Sequence, residues 1–127
     1  MNPDQPPITL YGIANCDTVR KARAWLSQRN VPCLFHDLRK QGVSLDTLLH
    51  WCAALGWEAL LNRRGTTWRA LEPSERDTVH DAASAAALML RHPTLIKRPV
   101  VDWQGTLTVG FTPELFQGAH ASLRDRA

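Results

Sequence analysis

The sequence predicts an α/β chain in which a β-α-β half and a ββ-α half flank a helical block. Three observations point to this. Ile8–Ile13 is a short apolar run that passes through a polar loop into an amphipathic stretch and then a second extended run. Leu45, Leu48, Leu49, Cys52 and Leu55 recur at helical spacing, and Ala82–Arg91 is rich in alanine. Near the C-terminus two more extended runs bracket the dipeptide Gln104-Gly105.

Taken in order, Ile8–Ile13 reads as a buried strand. Thr18–Arg29 reads as an amphipathic helix, with Val19, Ala22 and Leu26 on one face, Trp25 beside them, and Arg20, Arg23 and Arg29 on another. Asn30 ends it and Pro32 cannot continue it. Pro32–Leu38 is the second strand, with Cys33, Phe35 and Asp37 on one side and Leu34 and His36 on the other. A βαβ unit of this spacing makes the pair parallel. Lys40-Gln41-Gly42 is a turn. Ser44 is an N-cap for the helix from Leu45 to Leu55, which Gly56 stops. Trp57–Leu61 is a short helical piece, Asn62–Leu71 an aperiodic loop, and Ser74–Val79 a short helix opened by Pro73. Asp81 caps Ala82–Arg91, which Pro93 follows. Pro99–Trp103 and Thr106–Gly110 pair through a two-residue loop, and Thr112 or Pro113 opens a short last helix. This is the order of a thioredoxin-like fold, a mixed four-stranded sheet with a helical insertion between its halves. The expected organisation is one domain over 1–118, a helical sub-domain at about 44–92, and a frayed tail over 119–127.

The 127 residues suffice for one core, and 44% hydrophobic and 21% charged residues are ordinary for a globular chain. Met1–Pro7 is polar and proline-rich, a loose lead-in without a signal-peptide pattern. The longest small and apolar run, Ala82–Leu90, is too short to span a bilayer. The expected location is cytoplasmic, with no membrane partner. Three scattered cysteines make no disulfide framework, and no His/Cys spacing indicates a metal. A formal net charge of +3 does not argue for direct nucleic-acid binding.

Cys16 lies between the first strand and the first helix, flanked by polar Asn15, Asp17 and Thr18. The unpaired N–H groups and positive dipole end of a helix N-terminus favour a thiolate. In a thioredoxin-like fold this loop faces the residue pair ahead of the third strand, here Arg98-Pro99, where the peptide bond is often cis. The Arg98 guanidinium is then a second stabiliser of the thiolate. No second cysteine stands at redox spacing: the fourth residue of Cys16-Asp17-Thr18-Val19 is a valine. Cys33 and Cys52 fall on apolar faces and read as core residues. The expected chemistry is monothiol, completed by an external thiol. Thr18 is a candidate hydrogen-bond donor to the sulfur, while the Asp17 carboxylate opposes the thiolate.

Three separated segments carry a resemblance: Tyr11-Gly12-Ile13-Ala14-Asn15-Cys16-Asp17-Thr18-Val19-Arg20-Lys21-Ala22, Asn62-Arg63-Arg64-Gly65-Thr66-Thr67-Trp68-Arg69, and Ile96-Lys97-Arg98-Pro99-Val100. In this order, over about residues 8–118, the chain resembles the arsenate reductase (ArsC) family, in its YffB-like branch related to the Spx regulators. The resemblance implies a nucleophilic cysteine at Cys16, oxyanion-holding arginines at Arg64 and Arg98, and a cycle that uses glutathione and glutaredoxin. Asn15, Thr18, Arg69, Lys97 and Pro99 join them as candidate glutathione- or substrate-binding residues. Phe111 stands in the region of a third family arginine, which argues against efficient arsenate reduction. The expected activity is that of a glutathione-dependent thiol reductase, with glutathione a co-substrate and no bound cofactor. The Spx relatives imply RNA polymerase as an alternative partner, and the family name implies arsenate reduction as a third reading.

Overall fold

The computed structural model describes residues 7–126. All of the expected lead-in except Pro7, and the final Ala127, lie outside the described residues. The chain divides into two units: one takes the chain up to Asp37 and again from Arg98, and the other is Leu38–Lys97.

The first unit holds the sheet. Its strands are β1 (Ile8–Gly12), β2 (Cys33–Asp37), β3 (Val100–Asp102) and β4 (Leu107–Val109), in the order β2-β1-β3-β4. β1 runs parallel to β2 and antiparallel to β3, and β3 is antiparallel to β4. This mixed four-stranded sheet with helices is the thioredoxin-like arrangement expected from the element order. Helix α1 (Asp17–Gln28) connects β1 to β2, as a parallel pair requires. Its Val19, Ala22, Trp25 and Leu26 are buried, the face that the heptad-like spacing picked out. They pack with Ile8 and Leu10 of β1, with Val101 and Trp103, and with Phe116 and Leu123 of the last helix. Edge-on rings bind this core: Trp25 and Trp103 each meet Phe116, at 5.6 and 5.2 Å between centroids.

Gly12 sits where strand β1 lies against Val19 of α1. A Cβ there would lie 2.7 Å from Val19 Cγ2. The β3–β4 loop is the two-residue hairpin expected: Gln104 and Gly105 both have positive φ, at 62° and 110°, and the Trp103 N–H donates to the Thr106 carbonyl at 2.7 Å. Positive φ at both central positions suits the right-handed twist of the flanking strands.

The last helix differs from expectation. Helix α8 runs from Pro113 to Arg126. Residues 119–126, expected as a frayed tail, are helical because Leu123 is buried in the core and the Arg126 guanidinium donates to the Trp103 carbonyl at 2.9 Å. Thr112 caps this helix, its hydroxyl accepting from the Leu115 N–H at 3.0 Å.

The second unit contains α2 (Leu38–Gln41), α3 (Leu45–Leu55), α4 (Trp57–Leu60), α5 (Thr66–Ala70), α6 (Pro73–Arg76), α7 (Ala82–Arg91) and a single 3-10 turn at Pro93–Leu95. It extends beyond both bounds of the expected helical sub-domain. Leu48, Trp51 and Cys52 of α3 are buried, as are Ala85, Ala86, Leu88 and Met89 of α7. Ser44 and Asp81 cap these two helices through Thr47 N–H and Ser84 N–H. Within Asn62–Leu71, expected as a loop, Thr66–Ala70 forms one helical turn that Gly65 opens. Too short for periodicity, it is anchored by a 2.9 Å hydrogen bond between the Thr67 and Thr94 hydroxyls. Among the described residues no helix is long and apolar enough to cross a membrane.

Candidate active site

Cys16 is the N-cap residue of α1. Its backbone is extended, at φ −96° and ψ 127°, and its carbonyl accepts the first intrahelical hydrogen bond from the Arg20 N–H at 2.9 Å. A turn delivers it there, with the Cys16 N–H donating to the Ile13 carbonyl at 3.2 Å. The residue is half-buried, part of its side chain packing against the core. Its thiol makes no conventional cap hydrogen bond.

Partial burial pushes the Cys16 thiol up, but the opposing influences prevail and its pKa lies below the ordinary thiol value. These are the Val19 N–H, the hydrogen bond and positive charge of Arg98, and the Thr18 N–H. The two backbone donors belong to the first turn of α1, whose amides have no carbonyl partner one turn back. A forming thiolate therefore meets both preoriented amide donors and a guanidinium.

Arg98 is half-buried and Pro99 fully so, and the bond between them is cis. The Pro99 carbonyl accepts from the Gly110 N–H at 2.9 Å, which ties the segment ahead of β3 to the end of β4. Asn15 is exposed in the turn before Cys16. Thr18 is exposed too, and its main-chain N–H is what acts on the sulfur.

The remaining candidates lie in the Leu38–Lys97 unit. Arg64, Arg69 and Lys97 are exposed there. The Arg64 N–H donates to Asn62 Oδ1 at 3.0 Å, a side-chain-closed turn. Residues 60–62 pair with 95–97: the Asn62 N–H donates to the Leu95 carbonyl at 2.7 Å, and the Lys97 N–H to the Leu60 carbonyl at 2.8 Å. This short ladder brings the Arg63-Arg64 segment beside the segment ending in Lys97. Arg63 lies over the Trp57 ring at 5.6 Å.

Two features escaped the sequence reading. Asp17 forms an ion pair with Arg20 on the exposed side of α1. The signal was available, since i and i+3 of a helix are neighbours. Phe111 is half-buried, its ring edge-on to Phe116 at 4.7 Å and packed against the core. The other thiols differ from Cys16. Burial raises Cys33 against the Leu10 backbone and Arg23, and burial raises Cys52. Among the described residues no group of three or more His, Cys, Asp or Glu side chains could hold a metal ion.

Comparison with known proteins places the chain. The model of the ArsC family matches residues 11–119. The solved structure of the YFFB protein is 44% identical, with a TM-score of 0.84 over 88% of this chain and 97% of that one. An arsenate reductase (ArsC) related protein from Brucella melitensis is 45% identical, with a TM-score of 0.72 over 92% of this chain and 97% of that one. The global transcriptional regulator Spx 1 of Lactococcus lactis is 27% identical over 110 residues, covering 84% of each chain.

Proposed function

Because the chain belongs to the ArsC family, we propose that it is a glutathione-dependent monothiol reductase with Cys16 as nucleophile. The observation that carries this reading is the thiol at the N-cap of α1, made acidic by the Val19 N–H and Arg98 against the cost of its burial.

The Cys16 thiolate attacks one sulfur of a substrate disulfide R–S–S–R′. A Cys16–S–S–R bond forms, the substrate bond breaks, and R′S⁻ leaves and takes a proton. Glutathione thiolate then attacks the Cys16 sulfur, releasing RSH and leaving Cys16 joined to glutathione. A second glutathione attacks the glutathione sulfur of that mixed disulfide, forming oxidised glutathione and expelling the Cys16 thiolate. One disulfide is reduced and two glutathiones are oxidised. The groups that make Cys16 acidic also make it a good leaving group in the last step. Arg98 touches the reacting sulfur. The family resemblance adds Arg64, with Lys97 and Arg69, as cations for glutathione's carboxylates, Asn15 and Thr18 as polar contacts, and the backbone at Pro99 as a partner for a peptide-like ligand. Glutaredoxin is the protein that would compete for the second step.

The test is turnover of a small mixed disulfide with glutathione, coupled to glutathione reductase. Native protein is expected to turn over and Cys16→Ser to be inactive, while Cys33→Ser and Cys52→Ser retain activity. Equal rates for native protein and Cys16→Ser would sink the reading. Arsenate is expected to give negligible arsenite, because Phe111, its ring edge-on to Phe116, stands in the region where the resemblance implies a third arginine.

The similarity to Spx supports a second reading, a regulator that binds RNA polymerase. Recovery of polymerase subunits on immobilised protein, with no thiol-dependent turnover, would establish it in place of the first.

A further inference from the structure

Asp17 is the first residue of α1 and directly follows the nucleophile. Its carboxylate has two local options. It can turn back toward the sulfur, drawn by the same helix N-terminus that favours the thiolate, or it can lie along the helix flank. In this chain it lies along the flank in an ion pair with Arg20, both side chains being largely exposed. The groups that act on the Cys16 sulfur are main-chain amides and Arg98, with Asp17 absent from them. Two anions at one helix start would compete for the same few donors, and like charges close together raise each other's pKa.

We propose that Arg20 is a positioning residue: by pairing with Asp17 it holds that carboxylate on the outer flank of α1 and keeps it from opposing the Cys16 thiolate. The proposal rests on the reading of Cys16 as nucleophile and names a control on that site. Arg20 acts through Asp17 and has no contact with substrate in this role. An exposed ion pair adds little to stability, so its effect is expected in the titration of the thiol and not in the fold.

The experiment is the pH dependence of Cys16 alkylation by iodoacetamide, with Cys33 and Cys52 replaced by serine so that one thiol reports. Arg20→Gln should raise the Cys16 pKa by roughly half a unit, the size of one nearby unit charge acting through a water-like dielectric. Arg20→Lys should titrate as the native protein does. Asp17→Asn combined with Arg20→Gln should return the pKa to the native value. Raising the salt to about 1 M should shrink the Arg20→Gln shift, since the interacting charges are exposed. An unchanged pKa in Arg20→Gln overturns the proposal. So does an equal rise in Arg20→Gln and in the double variant, which would mean that Arg20 acts by its own charge. A native pKa at or above the ordinary thiol value of about 8.5 would overturn the reading of Cys16 itself, which is a separate result.

Discussion

The acidity of Cys16 is a balance of opposed influences. Burial alone would raise the thiol, as it does for Cys33 and Cys52. The Val19 and Thr18 amides and Arg98 reverse the sign only at Cys16. Arg98→Ala is therefore expected to raise the Cys16 pKa measurably and to slow alkylation near neutral pH, with the amides still holding part of the effect; identical alkylation profiles would remove Arg98 from the site. Reaction with electrophiles should increase with pH and level off below the pH expected of an ordinary thiol. At this scale the acidic cysteine ahead of α1, the arginine before Pro99 and the lack of a neighbouring second cysteine were legible, because each is carried by residue type and local spacing. The kind of donor was legible too, the unpaired N–H groups at a helix start together with Arg98; which amides act, those of Val19 and Thr18, was not, because amide direction follows from backbone dihedrals that no side chain reveals.

The strand–turn–helix element that presents Cys16 depends on close packing. The missing Cβ at Gly12 leaves room for Val19, a fully buried and β-branched residue with little rotamer freedom. Gly12→Ala should cost about 1–3 kcal/mol by overpacking, measured by chemical denaturation, and should also shift the Cys16 pKa because the Val19 amide moves with its side chain. Long periodic elements were legible with their caps: α1 starts within one residue of its expected position, and α3 and α7 have the expected ends. The turns at α2 and α5 were not, since four or five residues carry too little of the 3.6 period to register. Asn62–Leu71 read as a loop for this reason, although a hydroxyl pair to Thr94 holds its second half in a helical turn.

In the unit that carries the sheet, α8 completes the core. Deleting residues 119–127 removes buried Leu123 and the Arg126 bond to the Trp103 carbonyl. The shortened chain should unfold at a clearly lower temperature, and an unchanged melting temperature would show the helix end to be dispensable. His120 lies edge-on to Trp25, and burial, then Arg124 and Arg29, lower its pKa. The fold therefore favours neutral His120. That contribution is complete above the unfolded value of about 6.5 and is lost as the pH falls through the folded value. His120→Gln should flatten the stability curve between about pH 7 and 5, measured by denaturation at each pH. By itself the sequence determined the order of the elements, the register of apolar faces, the cysteine that leads into α1 and the family to which the chain belongs, all matters of local pattern. Only the tertiary structure decided that the C-terminal tail is helical and that Phe111 packs against Phe116 and the core. Those outcomes depend on which distant side chains compete for the same space, and spacing along a chain does not encode that competition.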